Sequence, residues 1–375
     1  MSVAENDTKC TKLKVLVAEA GDHYKILEQI YHLLHDKCEL TFLIIKPKNY
    51  DYKDLFPSAA HSRLLICKQR GFLFFAWLVF YAPKYDLINI STGPDGNHFS
   101  ELIRIILFYL YCVIFGEKTV LTIRNTYSYL ESTPGLFAFI RSRAIRHVKR
   151  FTFETQTMRR VFSESAKRRD LLLGVSYDKY SDVTVPGDIG SVQQAHESKV
   201  RIGLLGTVNE ERRNYALVSQ ALTLLPSDQR EKFMFVTLGE CINGTNNRVM
   251  KSLSRYVEVD CREGLLTERE LAARGRACDV LMAPLNELKA YGTLHGSGSF
   301  GDAVYLGKKL ILPAFADANR EFGDLCIYYS DSSTLAQVLG NIRSLVSPSV
   351  SRCFLEKFAT RNVLATLRRD LNLCN

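Results

Sequence analysis

A cluster of glycine and serine residues lies near the C-terminal end of the chain, before a short helix-like segment. It reads His295-Gly-Ser-Gly-Ser-Phe-Gly301, and a helix is predicted over Asp302–Leu306. Small residues before a helix let backbone N–H groups approach a ligand, and the positive end of the helix dipole favours phosphate. Asp302, in the predicted first turn, is placed to accept hydrogen bonds from sugar hydroxyls. The pattern favours a nucleoside diphosphate that carries a sugar; an ordinary tight turn is the alternative interpretation.

Two adjacent arginines follow an apolar strand at the start of the second half of the chain. The predicted strand, Val200–Leu205, ends at Gly206, and a polar turn then presents Arg212 and Arg213. Arginine offers a planar fork of donors and a permanent charge, which suits a diphosphate. A cation near the start of a helix opposes the helix dipole, and this favours a ligand role over a solvated pair.

These segments resemble the donor half of glycosyltransferases of the GT-B architecture, and most of all their retaining family 4 group. The resemblance rests on Gly206, on Arg212-Arg213-Asn214, on Val257–Pro284 and on Phe300-Gly-Asp-Ala-Val-Tyr-Leu-Gly-Lys308. The last segment is similar to the family pattern E-A-x-x-x-G-K, with aspartate for glutamate. The resemblance covers most of residues 198–315. It implies that Asp302 binds the donor ribose and that Arg212 takes the place of a phosphate-binding lysine.

Three positions differ from the family pattern. Leu294 stands eight residues before Asp302, where the family has a second glutamate, and Thr207 takes the first basic position. Arg124 stands where a sugar-contacting histidine often lies. The histidine in the Gly/Ser cluster also resembles inverting GT-B families, so the stereochemical outcome stays open.

The predicted donor-binding residues lie at strand ends or in the Gly/Ser cluster. Glu240 and Glu287 each follow a predicted strand and are candidates to meet the nucleotide or the sugar; a solvated loop acid is the alternative for both. The full predicted set is Gly206, Thr207, Arg212, Arg213, Glu240, Glu287, His295, Gly296, Ser297, Gly298, Ser299, Phe300 and Asp302. With no D-x-D sequence or His/Asp cluster in the chain, we predict no metal and no cofactor besides the nucleotide sugar as co-substrate.

The predicted catalytic residues belong to the first half of the chain. Ser91–Ser100, STGPDGNHFS, follows a predicted strand, so Asp95 and His98 would lie at the edge where parallel sheets bind ligands. An inverting transfer needs a base for the acceptor hydroxyl, and either side chain could serve. Pro-Asp-Gly is also an ordinary turn. Arg124, after the next predicted strand, completes the predicted catalytic set.

Apolar strand-like runs alternate with helical patterns along the whole chain. Continuous Val, Ile and Leu runs separated by amphipathic stretches such as Tyr215–Leu225 and Glu268–Arg276 indicate parallel sheets covered on both faces. The predicted strands are Leu13–Ala18, Leu40–Ile45, Leu64–Cys67, Leu87–Ser91, Thr119–Ile123, Phe151–Glu154, Val200–Leu205, Phe233–Leu238, Val257–Val259, Val280–Ala283, Leu310–Leu312 and Cys326–Tyr329. A length of 375 residues exceeds what one ordinary core organises. We therefore predict an α/β fold with two Rossmann-like domains facing across a cleft (GT-B).

A polar stretch without periodicity, Ser181–Ser198, separates the two halves and is typical of a linker. The predicted divisions are an acceptor-binding domain at 1–182, a linker at 183–198 and a donor-binding domain at 199–350. The tail, 351–375, is predicted to be helical and to pack back on the first domain.

Composition and targeting signals favour a cytoplasmic protein. The ten cysteines are scattered without a C-x-x-C pair, so we expect free thiols in a reducing compartment. The N-terminal residues mix acids and bases, unlike a signal peptide. Leu102–Phe115 and Gly71–Tyr81 are apolar but too short to span a membrane, and we predict buried core helices there.

Basic residues are concentrated between Arg141 and Arg169. This segment holds ten cations against Glu154 and Glu164, which accounts for most of the net charge of +9. With aromatic residues interleaved, residues 141–169 are predicted to bind an anionic membrane surface. A nucleic-acid backbone would suit the same charges, but no nucleic-acid motif accompanies them. A solvated helix face is the other alternative.

We therefore predict a hexosyltransferase-type enzyme that moves a sugar from a nucleotide-diphosphate donor to a glycan or lipid-linked acceptor, as in polysaccharide biosynthesis, at the cytoplasmic face of a membrane. Three alternatives stay open. The first is a nucleotide-sugar 2-epimerase-like enzyme of the same fold. The second is a catalytically silent GT-B partner subunit, suggested by Leu294 and the missing histidine. The third is a nucleic-acid-binding protein.

Overall fold

The computed structural model describes most of the chain. The described residues are 12–19, 27, 30–31, 34–35, 38–45, 63–67, 72–91, 93–94, 101–130, 134–166, 170–175, 199–244, 247–264, 266–346 and 350–371. The predicted linker at 183–198 lies outside them.

The described residues form two compact units. The first, unit 1, comprises Met1–Thr152, Ser165–Gly174 and Asp370–Asn375; the second, unit 2, comprises Phe153–Glu164 and Val175–Arg369. The end of the chain is thus grouped with unit 1, where the Arg150 guanidinium donates to the Leu371 carbonyl at 3.1 Å. The domain boundaries given above stay a prediction.

Unit 1 is built on a seven-stranded sheet of order β3-β2-β1-β4-β5-β6-β7. Its strands are β1 (Leu13–Glu19), β2 (Cys38–Ile45), β3 (Arg63–Cys67), β4 (Leu87–Ile90), β5 (Thr119–Ile123), β6 (Arg150–Phe153) and β7 (Leu172–Val175). The pairs β1–β2, β1–β4, β2–β3 and β4–β5 are parallel. Side chains of both orientations are buried in β1, as expected for a sheet covered on both faces.

Three helices of unit 1 connect strands that advance in one direction across this sheet. They are α1 (Phe72–Tyr81), α2 (Leu102–Phe115) and α3 (Leu136–Ile145). Because parallel crossovers are right-handed, helices that advance in the same direction lie on the same face of the sheet. Consistent with this, α1 packs against α2 and α2 against α3.

Unit 2 is built on a six-stranded, all-parallel sheet of order β10-β9-β8-β11-β12-β13. The strands are β8 (Val200–Leu204), β9 (Phe233–Thr237), β10 (Glu258–Asp260), β11 (Val280–Met282), β12 (Leu310–Pro313) and β13 (Cys326–Tyr329). Successive residues of β9 point to opposite faces: Phe233 and Phe235 join one apolar cluster, and Met234 and Val236 join the other. Both faces are therefore covered.

The helices of the second half, with one that follows β6, complete the described structure. They are α4 (Gln156–Ala166), α5 (Tyr215–Leu224), α6 (Ser227–Arg230), α7 (Arg248–Leu253), α8 (Glu268–Arg276), α9 (Gly298–Leu306), α10 (Ser332–Gly340), α11 (Ile342–Val346), α12 (Arg352–Glu356) and α13 (Thr360–Asp370). The start of α4 is capped by the Glu321 carboxylate, which accepts from the Gln156 N–H at 2.9 Å.

The strands and several helices agree with the sequence prediction, but two apolar helices differ from it. α1 and α2 were expected to be buried, whereas each has one side in the core and the other exposed to solvent. Helices that are apolar all round are usually covered on all sides, and here the sheet covers one side alone. Within the described ranges, no helix is long and apolar enough to cross a membrane.

Candidate functional site

The crossovers of the second sheet change direction between β8 and β11. β8 leads through α5 to β9 on one side, and β11 leads through α9 to β12 on the other. In open parallel sheets, ligands bind outside the carboxyl ends of the strands at such a point. The loops after β8 and β11 carry the predicted arginine pair and the Gly/Ser cluster, so topology brings these two predicted elements to one place.

Backbone hydrogen bonds join the loops that follow β8 and β11. The Asn214 N–H donates to the Pro284 carbonyl at 2.6 Å, and the Asn286 N–H donates to the Arg212 carbonyl at 3.2 Å. Arg213, between these two connections, is held in a short antiparallel bridge with the second loop. The backbone of the arginine pair is therefore fixed by the fold.

Arg213 is the buried member of the pair. Its side chain is 5% exposed, and its Nε–H donates to the Leu205 carbonyl at 3.2 Å. Its Nη1 group is buried and makes no hydrogen bond to any described residue. Burial lowers the pKa of Arg213, a sign that its charge has lost water. A desolvated cation with an unused donor is costly in the free protein, and an anion bound there would relieve that cost.

Arg212 occupies a different environment. Its side chain is exposed, and its Nε–H donates to the Tyr291 hydroxyl at 3.0 Å. The Arg213 guanidinium lies over the same ring, 5.8 Å from its centroid. The resemblance assigned the phosphate-binding place to Arg212, whereas the structure gives the buried position to Arg213 and leaves Arg212 at the rim.

The Gly/Ser cluster forms the start of α9. The Ser297 hydroxyl caps the helix by accepting from the Ser299 N–H at 3.4 Å. The Ser299 hydroxyl is itself buried and has no hydrogen-bond partner in the described part of the chain. Gly298 and Phe300 lie in the same first turn, where the positive end of the helix dipole is found. The Ser299 hydroxyl is thus a second unused donor, and it lies where the helix dipole favours an anion.

Asp302 is not in the first turn of its helix, and the predicted helix start was wrong. The helix begins at Gly298, so Asp302 is its fifth residue. The glycine and serine residues were interpreted as a loop, but a serine N-cap followed by tight packing lets them continue as helix. The negative charge of Asp302 opposes the lowering of the Arg213 pKa, so the Asp302 carboxylate acts electrostatically on that guanidinium.

The loop that carries His295 and Gly296 is tightly turned. The Gly292 N–H donates to the His295 carbonyl at 2.7 Å, and the His295 ring lies 6.1 Å from the ring of Tyr291. A Cβ on Gly296 would meet the buried Glu154 carboxylate at 1.4 Å. Gly296 therefore lies against Glu154, and a larger residue would require that carboxylate to move.

Two glycines bring the ends of β8 and β9 together. Gly206 has a φ of +80°, and a Cβ there would lie 2.2 Å from Arg213 Nη2. A Cβ on Gly239 would lie 2.0 Å from the Gly206 carbonyl oxygen. The close packing around Arg213 thus depends on glycine at both positions.

The other predicted donor residues lie at the periphery of this place. Thr207 is half-buried, directly after Gly206. Glu240 is half-buried at the end of β9, and its carbonyl accepts from the Val208 N–H at 2.8 Å. Glu287 is exposed in a short 3-10 helix that follows β11.

The predicted catalytic residues belong to the first half of the chain, and their roles are not tested by the described structure. Arg124 is half-buried after β5 and belongs to unit 1, whereas the donor set belongs to unit 2. Asp95 and His98 lie outside the described residues. Their roles stay predictions.

The described cations of the basic segment are not all on the surface. Arg141 is fully buried, with its Nε–H donating to the Ser128 carbonyl at 2.9 Å, so its interpretation as a surface cation was wrong. Arg150 donates to carbonyl groups, and Arg160 binds Asn319 in unit 2 at 2.7 Å. Arg143 and Arg146 are exposed.

Three residues near the arginine pair and the Gly/Ser cluster were not predicted from the sequence. Tyr291 contacts both arginines, and the buried Tyr215 hydroxyl has no described hydrogen-bond partner. Glu154 follows β6 directly and touches the Gly296 loop. Its position after a strand was a usable signal, but the surrounding cations favoured a surface interpretation.

Comparisons with known proteins identify the fold. No protein-family model matches the chain, and no curated protein sequence matches it. Among solved structures, UDP-GlcNAc 2-epimerase from Neisseria meningitidis bound to UDP-GlcNAc aligns with a TM-score of 0.59 at 10% identity, over 96% of this chain and 100% of that one. The S. aureus MnaA–UDP structure gives 0.57 at 10% identity, over 96% and 98%. AviGT4, a glycosyltransferase of avilamycin A biosynthesis, gives 0.53 at 11%, over 96% and 99%.

The chain has the GT-B type of fold. Two parallel α/β sheets with Rossmann-like connections are common to it and to these structures, so the predicted fold class is confirmed. At about a tenth identity the likeness is one of fold, and membership in family 4 stays a hypothesis.

Proposed function

We propose that this chain is an enzyme that binds a nucleoside-diphosphate sugar at the carboxyl end of the second sheet and acts at its anomeric C–O bond. The observation that carries the proposal is the buried Arg213 guanidinium, whose Nη1 donor is unused. Ser299 and the start of α9 supply a further unused donor and a favourable field. A diphosphate matches this combination in charge and in number of acceptors.

The same groups suit the leaving group of the reaction. When the bond between the sugar and the diphosphate breaks, negative charge develops on the diphosphate oxygens. Preorganised donors such as Arg213 and the α9 N-terminus stabilise that charge more than the charge of the intact donor. Asp302, near Arg213, is assigned to the ribose hydroxyls.

Sugar transfer to a glycan or lipid-linked acceptor, in the cytoplasm, is the reaction we propose first. Its support is the resemblance of 198–315 to transferase donor halves and the fold shared with AviGT4. The test is a panel of UDP-sugars offered with glycan and lipid-diphosphate acceptors. A sugar–acceptor product supports transfer, and UDP binding without any product favours the silent subunit.

A 2-epimerase-like reaction is the second candidate. It is favoured because two of the structures with this fold are described as a UDP-GlcNAc 2-epimerase and a MnaA–UDP complex. Incubation with UDP-GlcNAc alone, followed by NMR, separates the reactions. A C2 epimer formed without acceptor would replace transfer with epimerisation, while leaving the assignment of the diphosphate site intact.

Ser299→Ala tests the contribution of the smaller donor. Because the hydroxyl has no described partner, we expect the free energy of unfolding to stay within about 1 kcal/mol, while the Kd for UDP rises about fivefold. Calorimetric titration with UDP measures it. Ser142→Ala is the control, since that hydroxyl donates to the Phe139 carbonyl at 2.8 Å in unit 1; it should lower stability and leave the Kd unchanged. A Ser299→Ala variant that loses stability but keeps the wild-type Kd for UDP would exclude Ser299 from the site.

We also propose that turnover needs no divalent cation, because Arg213 and the α9 dipole supply the positive charge. Dialysis against EDTA is expected to leave the rate unchanged. Loss of activity that Mn²⁺ restores would contradict this.

A further inference from the structure

Exposed apolar side chains are concentrated on three helices of unit 1. Among the described residues, thirteen large hydrophobic side chains are exposed, and nine of them lie on α1, α2 and α3. We call these nine the apolar helix face: Trp77, Phe80, Ile103, Ile106, Leu110, Val113, Ile114, Leu136 and Phe139. An exposed apolar area of this extent marks an interaction site in most soluble proteins.

The nine residues share one side of unit 1. The three helices lie on the same face of the first sheet and pack side by side. On α2 the exposed residues recur at three- and four-residue intervals, while Ile105, Phe108 and Tyr111 are buried against the core. The exposed stripe therefore runs along the helix and faces away from the sheet.

Among the described residues around this face, cations outnumber acids. The segments Phe72–Tyr81, Leu102–Phe115 and Leu136–Ile145 contain no aspartate or glutamate. The flanking acids Glu101 and Glu117 form ion pairs with Arg104 and Lys149, at 2.8 Å each. The border of the face is thus cationic.

Two cations at the border lie over aromatic rings of the same surface. Lys84 Nζ is 5.0 Å from the centroid of Phe80, and the Arg143 guanidinium is 5.1 Å from that of Phe139. A long cationic side chain beside an aromatic ring is the arrangement that places charge among lipid headgroups and the ring just below them.

We propose that the apolar helix face binds the surface of an anionic lipid bilayer, with α1, α2 and α3 lying on the membrane. Apolar burial and attraction of the cationic border to acidic headgroups act together in such binding. A second copy of the chain fits less well, because its border would bring the same excess of cations against this one. This surface belongs to unit 1 and the donor residues belong to unit 2, and the proposal does not depend on the proposed reaction.

Vesicle co-sedimentation of the full chain tests the proposal. We expect binding to mixed phosphatidylglycerol–phosphatidylcholine vesicles, weaker binding at high salt, and little binding to pure phosphatidylcholine. Phe80→Ser/Ile114→Ser and the charge variant Lys84→Glu/Arg143→Glu should each reduce binding about tenfold. Leu224→Ser is the matched control, because Leu224 is 56% exposed but lies on α5 of unit 2; it should bind like the wild type.

Two further readouts decide the interpretation. UDP affinity, which reports on unit 2, should be unchanged in every variant, and an unchanged urea-unfolding midpoint shows that unit 1 folds in each of them. Equal vesicle binding by all variants, or no binding by the wild type, overturns the proposal. A wild-type dimer that the apolar variant dissociates, without vesicle binding, overturns it in favour of a second copy.

Discussion

Replacing Arg213 with methionine is expected to raise the Kd for UDP about 100-fold, close to 3 kcal/mol, while changing stability little. The guanidinium is buried, and its Nη1 donor has no described partner. Removing this buried cation from the free protein breaks one described hydrogen bond, whereas removing it from a diphosphate complex also leaves that anion unpaired. Methionine keeps the apolar stem of the side chain, so the pocket stays filled.

Stability and affinity must be measured on the same preparation. The free energy of unfolding of Arg213→Met should lie within about 1 kcal/mol of the wild type, since the one described hydrogen bond lost is that to Leu205. Arg201→Met is the matched control: Arg201 lies within β8 and pairs with Asp260 at 3.6 Å. It should bind UDP normally. A strongly destabilised Arg213→Met with normal UDP affinity would make Arg213 a structural residue.

Gly239→Ala is expected to destabilise the protein by about 2 kcal/mol and to weaken UDP binding as well. A Cβ at this position would lie 2.0 Å from the Gly206 carbonyl oxygen and 2.2 Å from its carbon. These are backbone atoms, so the loop that leads to Arg213 has to move. Urea unfolding and UDP titration of the same variant measure the two effects.

Gly264→Ala is the control for glycine replacement in general. Gly264 has a φ of +85°, but a Cβ there meets nothing within 4 Å. Because of backbone strain, Gly264→Ala should lower the free energy of unfolding by about 1 kcal/mol and leave UDP affinity unchanged. Equal effects of the two substitutions would show that the approach of Gly239 to Gly206 does not shape the pocket.

The sheet could be predicted from the sequence because its strands are continuous apolar runs. Thr119–Ile123 and Cys326–Tyr329 were predicted with the bounds that the structure has, and neighbouring strands differ by a residue or two. The exception is β7, Leu172–Val175, which is short and contains a glycine. Strands that are buried on both faces are apolar at nearly every position, so they can be recognised in the sequence as continuous apolar runs.

Which arginine is buried could not be predicted. Arg212 and Arg213 are adjacent residues at the end of one polar turn, so their local sequence surroundings are nearly the same. The choice depends on pairing with the loop after β11, which is a long-range contact that the local sequence does not show.

The exposure of one side of α2 could not be predicted from the sequence, for a related reason. Its sequence, LIRIILFYLYCVIF, is apolar on all sides and therefore predicts burial. The structure supplies a sheet on one side and a cationic border around the other. Composition alone does not separate a core helix from one with an exposed apolar side.

The most direct test of the account is a crystal structure of the protein soaked with UDP. The account predicts that diphosphate oxygens lie within hydrogen-bond distance of Arg213 Nη1 and Ser299 Oγ, at the start of α9. A diphosphate bound elsewhere on the chain, with Arg213 unchanged, would contradict it.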